Sequence, residues 1–241
     1  MSGHNKWSSI KHKKGKLDAQ RGKIFSKLIR EITVAAKQGG GDPASNPRLR
    51  QAIAAAKAEN MPMDNIQKAI QRGTGELPGT TYEETHYEGY ASGGVAVLLT
   101  CLTDNKNRTT SEIRHIFSRH GGNLGESGCV SWMFQKKGYI VVPKKDVKED
   151  QLLEIILNSG GEDIEEVQDT FEIFTPPENF ESVKRALEEN KIPIISAEIS
   201  MIPQNYVKVD AKEGEKIIKF LEALEEHDDV QKVWANAEFT T

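Results

Sequence analysis

The segments GYIVV (138–142), FEIFT (171–175) and ISAEISMI (195–202) decide the fold of this chain, because each is a short apolar run with the residue types of a β-strand. The stretches between them supply, in order, a helix at about 152–157, a strand at about 164–168 and a helix at 178–190. The order strand-helix-strand-strand-helix-strand is the ferredoxin-like plan. We therefore predict a ferredoxin-like α/β domain at residues 135–204.

Residues on both sides of this unit predict a second α/β domain, which the first one interrupts. The upstream elements are strands at 84–91 and 94–104, a helix that begins at Asn107, and a strand at 129–134. The downstream elements are the strand YVKVD, a helix at 213–226 and the strand VQKVWANAEF. Neither piece is long enough to bury a stable core alone. We therefore expect residues 81–134 and 205–241 to form one discontinuous domain.

The N-terminal part of the chain predicts three helices. The first runs from about 18 to 38, and the second has Asn46 as its N-cap and Pro47 at its first position. The third is predicted to end at Arg72 with Gly73 as its C-cap. The fold class is therefore α+β with three domains, in which a basic arm and helical domain at 1–80 precedes the two α/β domains.

Charge is distributed unevenly along the chain. Residues 1–80 contain 15 Lys and Arg against 6 Asp and Glu, a net charge of +9; because the whole chain carries −4, the remainder carries −13. The first 30 residues hold nine basic residues and one acidic residue, Asp18, which favours a polyanionic partner. Residues 149–190 hold 13 acidic residues against Lys184 and Arg185, so a basic protein is the partner expected there.

The strongest candidate site is the segment GHNKWSSIKHKKGK (3–16) together with the basic start of the first helix. Lys and Arg release counterions when they contact phosphates, and aromatic or imidazole rings stack on exposed bases. The alternative is a solvated terminus whose charge serves solubility, but the charge continues into two helices, which favours binding. The predicted nucleic-acid-binding residues are His4, Lys6, Trp7, Lys11, Lys13, Lys14, Lys16, Arg21, Lys23, Arg48 and Arg50.

Motifs for catalysis or cofactor binding are missing from the sequence. The glycine-rich stretches at 39–42 and 121–128 lack the phosphate-binding pattern GxxxxGK[ST], and neither HExxH nor GxSxG occurs. A carboxylate-metal nuclease that uses Asp104 and Glu126 is the enzymatic alternative, but scattered His residues and solvated carboxylates do not support it. We predict no catalytic residue, no metal and no cofactor.

Several polar and aromatic residues have structural explanations. Cys101 and Cys129 are predicted to be buried free thiols, because they have neither a CxxC spacing nor a partner cluster. Trp132 and Trp234 lie in apolar contexts and are predicted to be core residues. The polar cluster at 104–108 is explained by helix capping, with backbone recognition as the alternative.

The composition favours a soluble cytoplasmic protein without a membrane partner. Hydrophobic residues make up 37% and charged residues 28%, which is typical of a globular chain. No apolar run approaches the roughly 18 to 20 residues that a membrane span needs, and the N-terminus has no signal-peptide pattern.

Three long stretches resemble the YebC-like family, which includes the mitochondrial translational activator of cytochrome c oxidase. They are GHNKWSSIKHKKGKLDAQRGKIFSKLIREI, GGGDPASNPRLRQAIAAAKAENMPMDNIQKAIQRGTGE and YEGYASGGVAVLLTCLTDNKNRTTSEIRHIFSRHGGNLGESGCVSWMFQKKG. The chain departs from the family pattern at Asn5 (usually Ser), at Ala91-Ser92 (usually Gly-Pro) and at Cys129 (commonly Ser). None of these differences removes a charge.

The resemblance implies a helical N-terminal domain followed by two α/β domains, and a regulator of gene expression without enzymatic activity. Bacterial members are described as probable DNA-binding transcriptional regulators, whereas other relatives act in translation at the ribosome and ease synthesis of proline-rich stretches. We therefore expect a nucleic-acid partner, DNA or ribosomal RNA, with the ribosome-associated factor as the alternative reading and a protein-interaction scaffold as the third. The sequence does not define the target sequence or the oligomeric state.

Overall fold

A computed structural model describes residues 18–145 and 147–239 of the chain. The helices within these ranges are α1 (Asp18–Gly39), α2 (Pro47–Ala58), α3 (Met63–Thr74), α4 (Lys106–Arg119), α5 (Glu149–Ser159), α6 (Phe180–Glu189) and α7 (Ala211–Glu225). The strands are β1 (Glu83–Tyr90), β2 (Ala96–Thr103), β3 (Asn123–Leu124), β4 (Phe134–Pro143), β5 (Asp163–Val167), β6 (Thr170–Thr175), β7 (Ser196–Pro203), β8 (Val207–Val209), β9 (Val230–Ala235) and β10 (Ala237–Phe239).

The first three helices pack around a small core of their own. The predicted start of α2 is confirmed, because the Asn46 side chain accepts a hydrogen bond from the Leu49 amide at 3.1 Å and Pro47 occupies the first turn. The core contains Ile32, Ala35, Ala36, Leu49, Ala52, Ala56, Met61, Ile66, Ala69 and Ile70.

The predicted end of α3 is wrong. The helix passes through Gly73 and ends at Thr74, with Gly75 in the left-handed conformation at φ 85°. Gly73 is needed for packing, because a Cβ there would lie 2.4 Å from the Thr33 carbonyl oxygen of α1. A glycine that permits close helix approach was thus mistaken for a helix terminator.

The first sheet joins chain segments that are distant in sequence. Its strand order is β3-β1-β2-β9, and both β1–β2 and β2–β9 are antiparallel. Helices α4 and α7 cover one face, where Phe117 and Phe220 meet edge to face with ring centroids 4.9 Å apart. Strands β8 and β10 form a separate parallel pair. The C-terminal segment therefore completes the core that the upstream segment begins.

The strand predicted at 129–134 is wrong. Residues 131–133 form a 3-10 turn, and only Phe134 begins a strand, β4. The buried Glu88 carboxylate accepts hydrogen bonds from the amides of Gly128 (2.8 Å), Val130 (2.8 Å) and Ser131 (2.7 Å). These amides are therefore taken from any strand ladder by a side chain of β1.

The ferredoxin-like prediction is confirmed. The second sheet has the order β5-β6-β4-β7, every neighbouring pair is antiparallel, and α5 and α6 pack on one face. The core between the sheet and these helices contains Ile140, Val142, Leu152, Ile156, Phe171, Ile173, Phe180, Val183 and Leu187. The unit contacts the first sheet through Trp234, whose indole Nε1 donates to Ser200 Oγ at 3.0 Å.

The fold class, α+β with a helical region followed by α/β domains, is confirmed by these elements. The residue numbers given to the domain boundaries stay a prediction. Among the described helices, none combines the length and the apolar composition that a bilayer crossing requires.

Candidate functional site

The structure describes the side chains of only three predicted binding residues: Lys23, Arg48 and Arg50. Arg21 belongs to α1, but its side chain is not among the described ones. Outside the described residues lie His4, Lys6, Trp7, Lys11, Lys13, Lys14 and Lys16. Their contact with nucleic acid stays a prediction.

Arg48 connects the helical region to the first sheet. Its guanidinium donates to Glu31 Oε1 on α1 at 2.7 Å and to Glu84 Oε2 on β1 at 2.6 Å, and also to Gln38 Oε1 at 2.8 Å. Burial alone would lower the pKa of Arg48, but the hydrogen bonds and charges of Glu31 and Glu84 raise it. A phosphate would have to compete with two carboxylates for this side chain.

Arg50 lies one turn into α2 and remains exposed. Its Nη1 donates to the Pro43 carbonyl oxygen at 2.8 Å and more weakly to that of Ala44 at 3.4 Å. Neither partner is charged, so the positive charge of Arg50 stays available to an anion, whereas that of Arg48 is neutralised locally.

The basic side of α1 docks onto the C-terminal end of α7. Lys27 Nζ donates to the Glu225 carbonyl oxygen at 2.6 Å, and Lys23 Nζ donates to that of Glu226 at 3.2 Å. The last carbonyls of a helix have no partner within the helix and carry its negative dipole end, so cations are favoured there. Part of the basic charge of the N-terminal segment therefore serves domain contact.

Asp229 is the centre of this junction. Its carboxylate, 2% exposed, receives Arg108 Nη2 at 2.8 Å and Thr109 Oγ1 at 2.6 Å, both from α4, and forms an ion pair with Arg30 of α1. Burial alone would raise the pKa of Asp229, but the hydrogen bonds from Thr109, Arg108 and Arg30 lower it to about 2. The carboxylate is thus ionised and fully engaged at neutral pH.

A cleft of about 750 Å³ opens beside this network. Lys23 and Arg30 line it from α1, and Arg108, Ser111 and His115 line it from α4. Since the N-terminal segment enters α1 shortly before Lys23, the chain's most basic stretch joins the fold at the rim of this cleft.

Glu112, His227 and Asp229 also meet at the cleft, with potential ligand atoms within 4.8 Å of one another. Their donors are already engaged: His227 Nδ1 accepts the Asp229 amide at 3.1 Å, and Nε2 lies 2.8 Å from Glu112 Oε2. Two Arg side chains bind the third carboxylate. The arrangement stabilises the junction and offers no open ligand set for a cation.

Helix α4 presents a strongly polar outer face that the sequence interpretation overlooked. Ile113 and Phe117 are buried, whereas Arg114, His115 and Arg119 are exposed. The signal was present in NRTTSEIRHIFSR, because apolar residues at helical spacing leave the Arg residues on the opposite side. Only the capping part of this stretch was predicted, and it is confirmed by the Asn105 side chain, which accepts the Arg108 amide at 3.1 Å.

Two predictions about core residues need correction. Trp132 is 66% exposed, because it lies on the 3-10 turn that Glu88 organises, where its Nε1 donates to the Cys129 carbonyl oxygen at 3.2 Å. Both cysteines are free thiols, but only Cys101 is buried, and burial raises its pKa to about 12. Cys129 is partly exposed.

Comparison with known proteins defines the class to which this fold and surface belong. Residues 5–76 match the family domain described as "TACO1/YebC protein N-terminal domain", and residues 82–237 match "TACO1/YebC second and third domain". The chain belongs to the TACO1/YebC family, which confirms the resemblance to YebC-like proteins.

Individual relatives resemble the chain over almost its whole length. Proteins named "Probable transcriptional regulatory protein" are 61% identical in Desulfosudis oleivorans (98% of this chain, 96% of the relative) and 57% identical in Geobacter sulfurreducens (100% and 97%). A crystal structure of a conserved hypothetical protein from Aquifex aeolicus superposes with a TM-score of 0.85 at 55% identity, and the match covers 96% of each chain.

Proposed function

We propose that this protein is a non-enzymatic regulator of gene expression that binds DNA through its basic N-terminal segment. The observation that carries the proposal is the charge of the first 30 residues, with nine basic residues against one acidic residue. Neutralised phosphates release counterions, so such a segment supplies affinity without any base contact. The names of close relatives, probable transcriptional regulatory proteins, support the regulatory assignment.

The position of the segment supports the same proposal. It joins α1 next to the cleft that Lys23 and Arg108 line, whereas the acidic unit at 149–190 would repel a phosphate backbone. A nucleic acid would therefore be drawn toward the α1–α4 side of the molecule. The acidic unit is left for a different partner, and a basic protein has the matching charge.

The alternative is a ribosome-associated translation factor that relieves stalling on proline-rich stretches. One observation favours it: in the described N-terminal helices, Lys27, Arg30 and Arg48 are held in contacts within the chain. Reading DNA sequence by a helix requires side chains presented to the major groove. A factor that recognises RNA by shape and phosphate contacts needs no such helix.

A salt-titrated binding assay with duplex DNA tests the proposal, run beside sedimentation of the full chain with purified ribosomes. The variant Lys11→Gln/Lys13→Gln/Lys14→Gln should lower the slope of log affinity against log salt by about 3, one for each lost phosphate contact. Lys208→Gln/Lys212→Gln/Lys219→Gln makes the same charge change on exposed C-terminal positions and serves as the control.

Sequence-selective DNA binding that depends on the three arm lysines would support the transcriptional assignment. Arm-dependent migration with ribosomes, with only weak and unselective DNA binding, would replace it by the translational alternative. Equal binding by wild type, arm variant and control would remove the N-terminal segment from the function.

A further inference from the structure

The outer face of α4 carries positive charge that the fold itself does not use. Among the described residues, Arg114 and Arg119 take part in no ion pair and no side-chain hydrogen bond. Lys27, Arg30 and Arg48, by contrast, all contact carbonyls or carboxylates of the chain. An exposed cation without an internal partner contributes little to stability, so its charge is available to a ligand.

Helical spacing places these residues on one continuous surface. Arg108, His115 and Arg119 follow each other at intervals of seven and four residues, and Arg114 lies on the neighbouring row. That row is completed by the exposed hydroxyls of Ser111 and Ser118. The helix thus offers a surface rich in hydrogen-bond donors.

The single acidic residue on this surface is already engaged. Glu112 lies 2.8 Å from His227 Nε2 and 3.8 Å from Arg108 Nε, and both contacts reduce its repulsion of an approaching anion. Asp104, at the start of the helix, is likewise paired with Arg108 at 3.0 Å. The net charge that remains toward solvent is that of Arg114 and Arg119.

We propose that the outer face of α4 is a second phosphate-binding surface, which extends the contact of the N-terminal segment along a nucleic-acid backbone. The ligand chemistry is a row of phosphodiesters contacted by Arg114 and Arg119, with Ser111 and Ser118 as donors to phosphate oxygens. The inference rests on the proposed function, since both surfaces bind the same polyanion.

The dimensions of the surface fit this ligand. From Arg108 to Arg119 the helix rises about 16 Å, at 1.5 Å per residue, which is the length of about five phosphates of one DNA strand. The cleft lined by Lys23, Arg108 and His115 lies at the N-terminal part of α4, so the two surfaces meet there. A backbone bound by the N-terminal segment can continue over α4 without crossing the acidic unit.

The test is a salt titration of binding to a labelled DNA duplex of mixed sequence and to an RNA duplex of the same length. Arg114→Gln/Arg119→Gln should reduce the slope of log affinity against log salt by about 2 and weaken binding by about 10- to 50-fold at moderate salt. Arg114→Lys/Arg119→Lys keeps both charges and should retain the wild-type slope. Lys184→Gln/Arg185→Gln makes the same charge change on α6 and should also bind like wild type.

The outcomes separate this inference from the proposed function. A reduced slope for the glutamine variant, with both controls normal, supports the α4 surface, and the duplex with the larger loss identifies DNA or RNA as its ligand. Wild-type binding by the glutamine variant, together with loss in the Lys11/Lys13/Lys14 variant, overturns the α4 surface and leaves the proposed function intact. Failure of the wild-type protein to bind either duplex overturns both.

Discussion

Helices α1 and α4 both carry several basic residues, but they use them in opposite ways. On α1, Lys27 and Arg30 contact the end of α7 and the buried Asp229. On α4, Arg114 and Arg119 face solvent without a charged partner among the described residues. Net charge identifies a basic segment, whereas the fold decides which of its cations remain available for a ligand. The count of basic residues in the first 30 positions therefore overstates the charge that α1 presents.

Removal of the Asp229 carboxylate gives the largest expected effect on this comparison. Asp229→Ala leaves Arg30, Arg108 and Thr109 without their common acceptor in a buried site, and should lower the free energy of unfolding by about 3–5 kcal/mol. Urea unfolding measures the change. Asp228→Ala removes a neighbouring carboxylate whose side chain is 67% exposed, and should stay within about 0.5 kcal/mol of wild type. Equal effects of the two substitutions would show that the junction does not depend on Asp229.

The pH dependence of stability follows from the same carboxylate. The pKa of Asp229 is lowered from 3.8 to about 2, so its contribution is complete above pH 4 and is lost as the pH falls through 2. Wild type should therefore exceed Asp229→Asn by about 2 to 3 kcal/mol near neutrality, and the difference should shrink as the pH falls from 4 to 2. Chemical unfolding of both proteins across this range checks the sign. A difference that stays constant down to pH 2 would contradict the assignment.

The smallest expected effect compares one arginine from each helix. Arg30→Gln removes hydrogen bonds to Asp229 and to the Leu102 and Asp228 carbonyl oxygens, and should lower the free energy of unfolding by about 1.5–3 kcal/mol. Arg114→Gln should change it by less than about 0.5 kcal/mol, because the side chain has no partner to lose. Thermal unfolding of the two variants under one buffer provides the comparison. A larger loss for Arg114→Gln would show that α4 has a structural role.

Local patterns in the sequence predicted most of the secondary structure and the element order. The cap at Asn46, the period of α4 and the strand order of the ferredoxin-like unit are encoded within short stretches. The errors at Gly73 and at 129–134 have a common cause, since each depends on a contact from another element. A local pattern contains no information about Thr33 beside Gly73, or about Glu88 beneath the turn.

The candidate site was less predictable for the same reason. Arg30 and Asp229 are 199 positions apart, and no motif links them. The basic character of the N-terminal segment could be read from composition alone, but the distinction between engaged and available cations requires the fold. The α4 surface lies between these cases, because helical spacing indicates its exposed face while only the structure shows that its charges have no partner.

The interrupted first sheet has a consequence for synthesis of the chain. Strand β2 pairs with β9, yet the whole ferredoxin-like unit is translated between them. At about 5–20 residues per second, β2 presents an unpaired apolar edge for roughly 6 to 25 s after it leaves the ribosome. Unpaired strand edges favour intermolecular pairing. The nascent protein should therefore pass through an aggregation-prone window that closes only when its last strands emerge, so early release of truncated chains would be especially harmful.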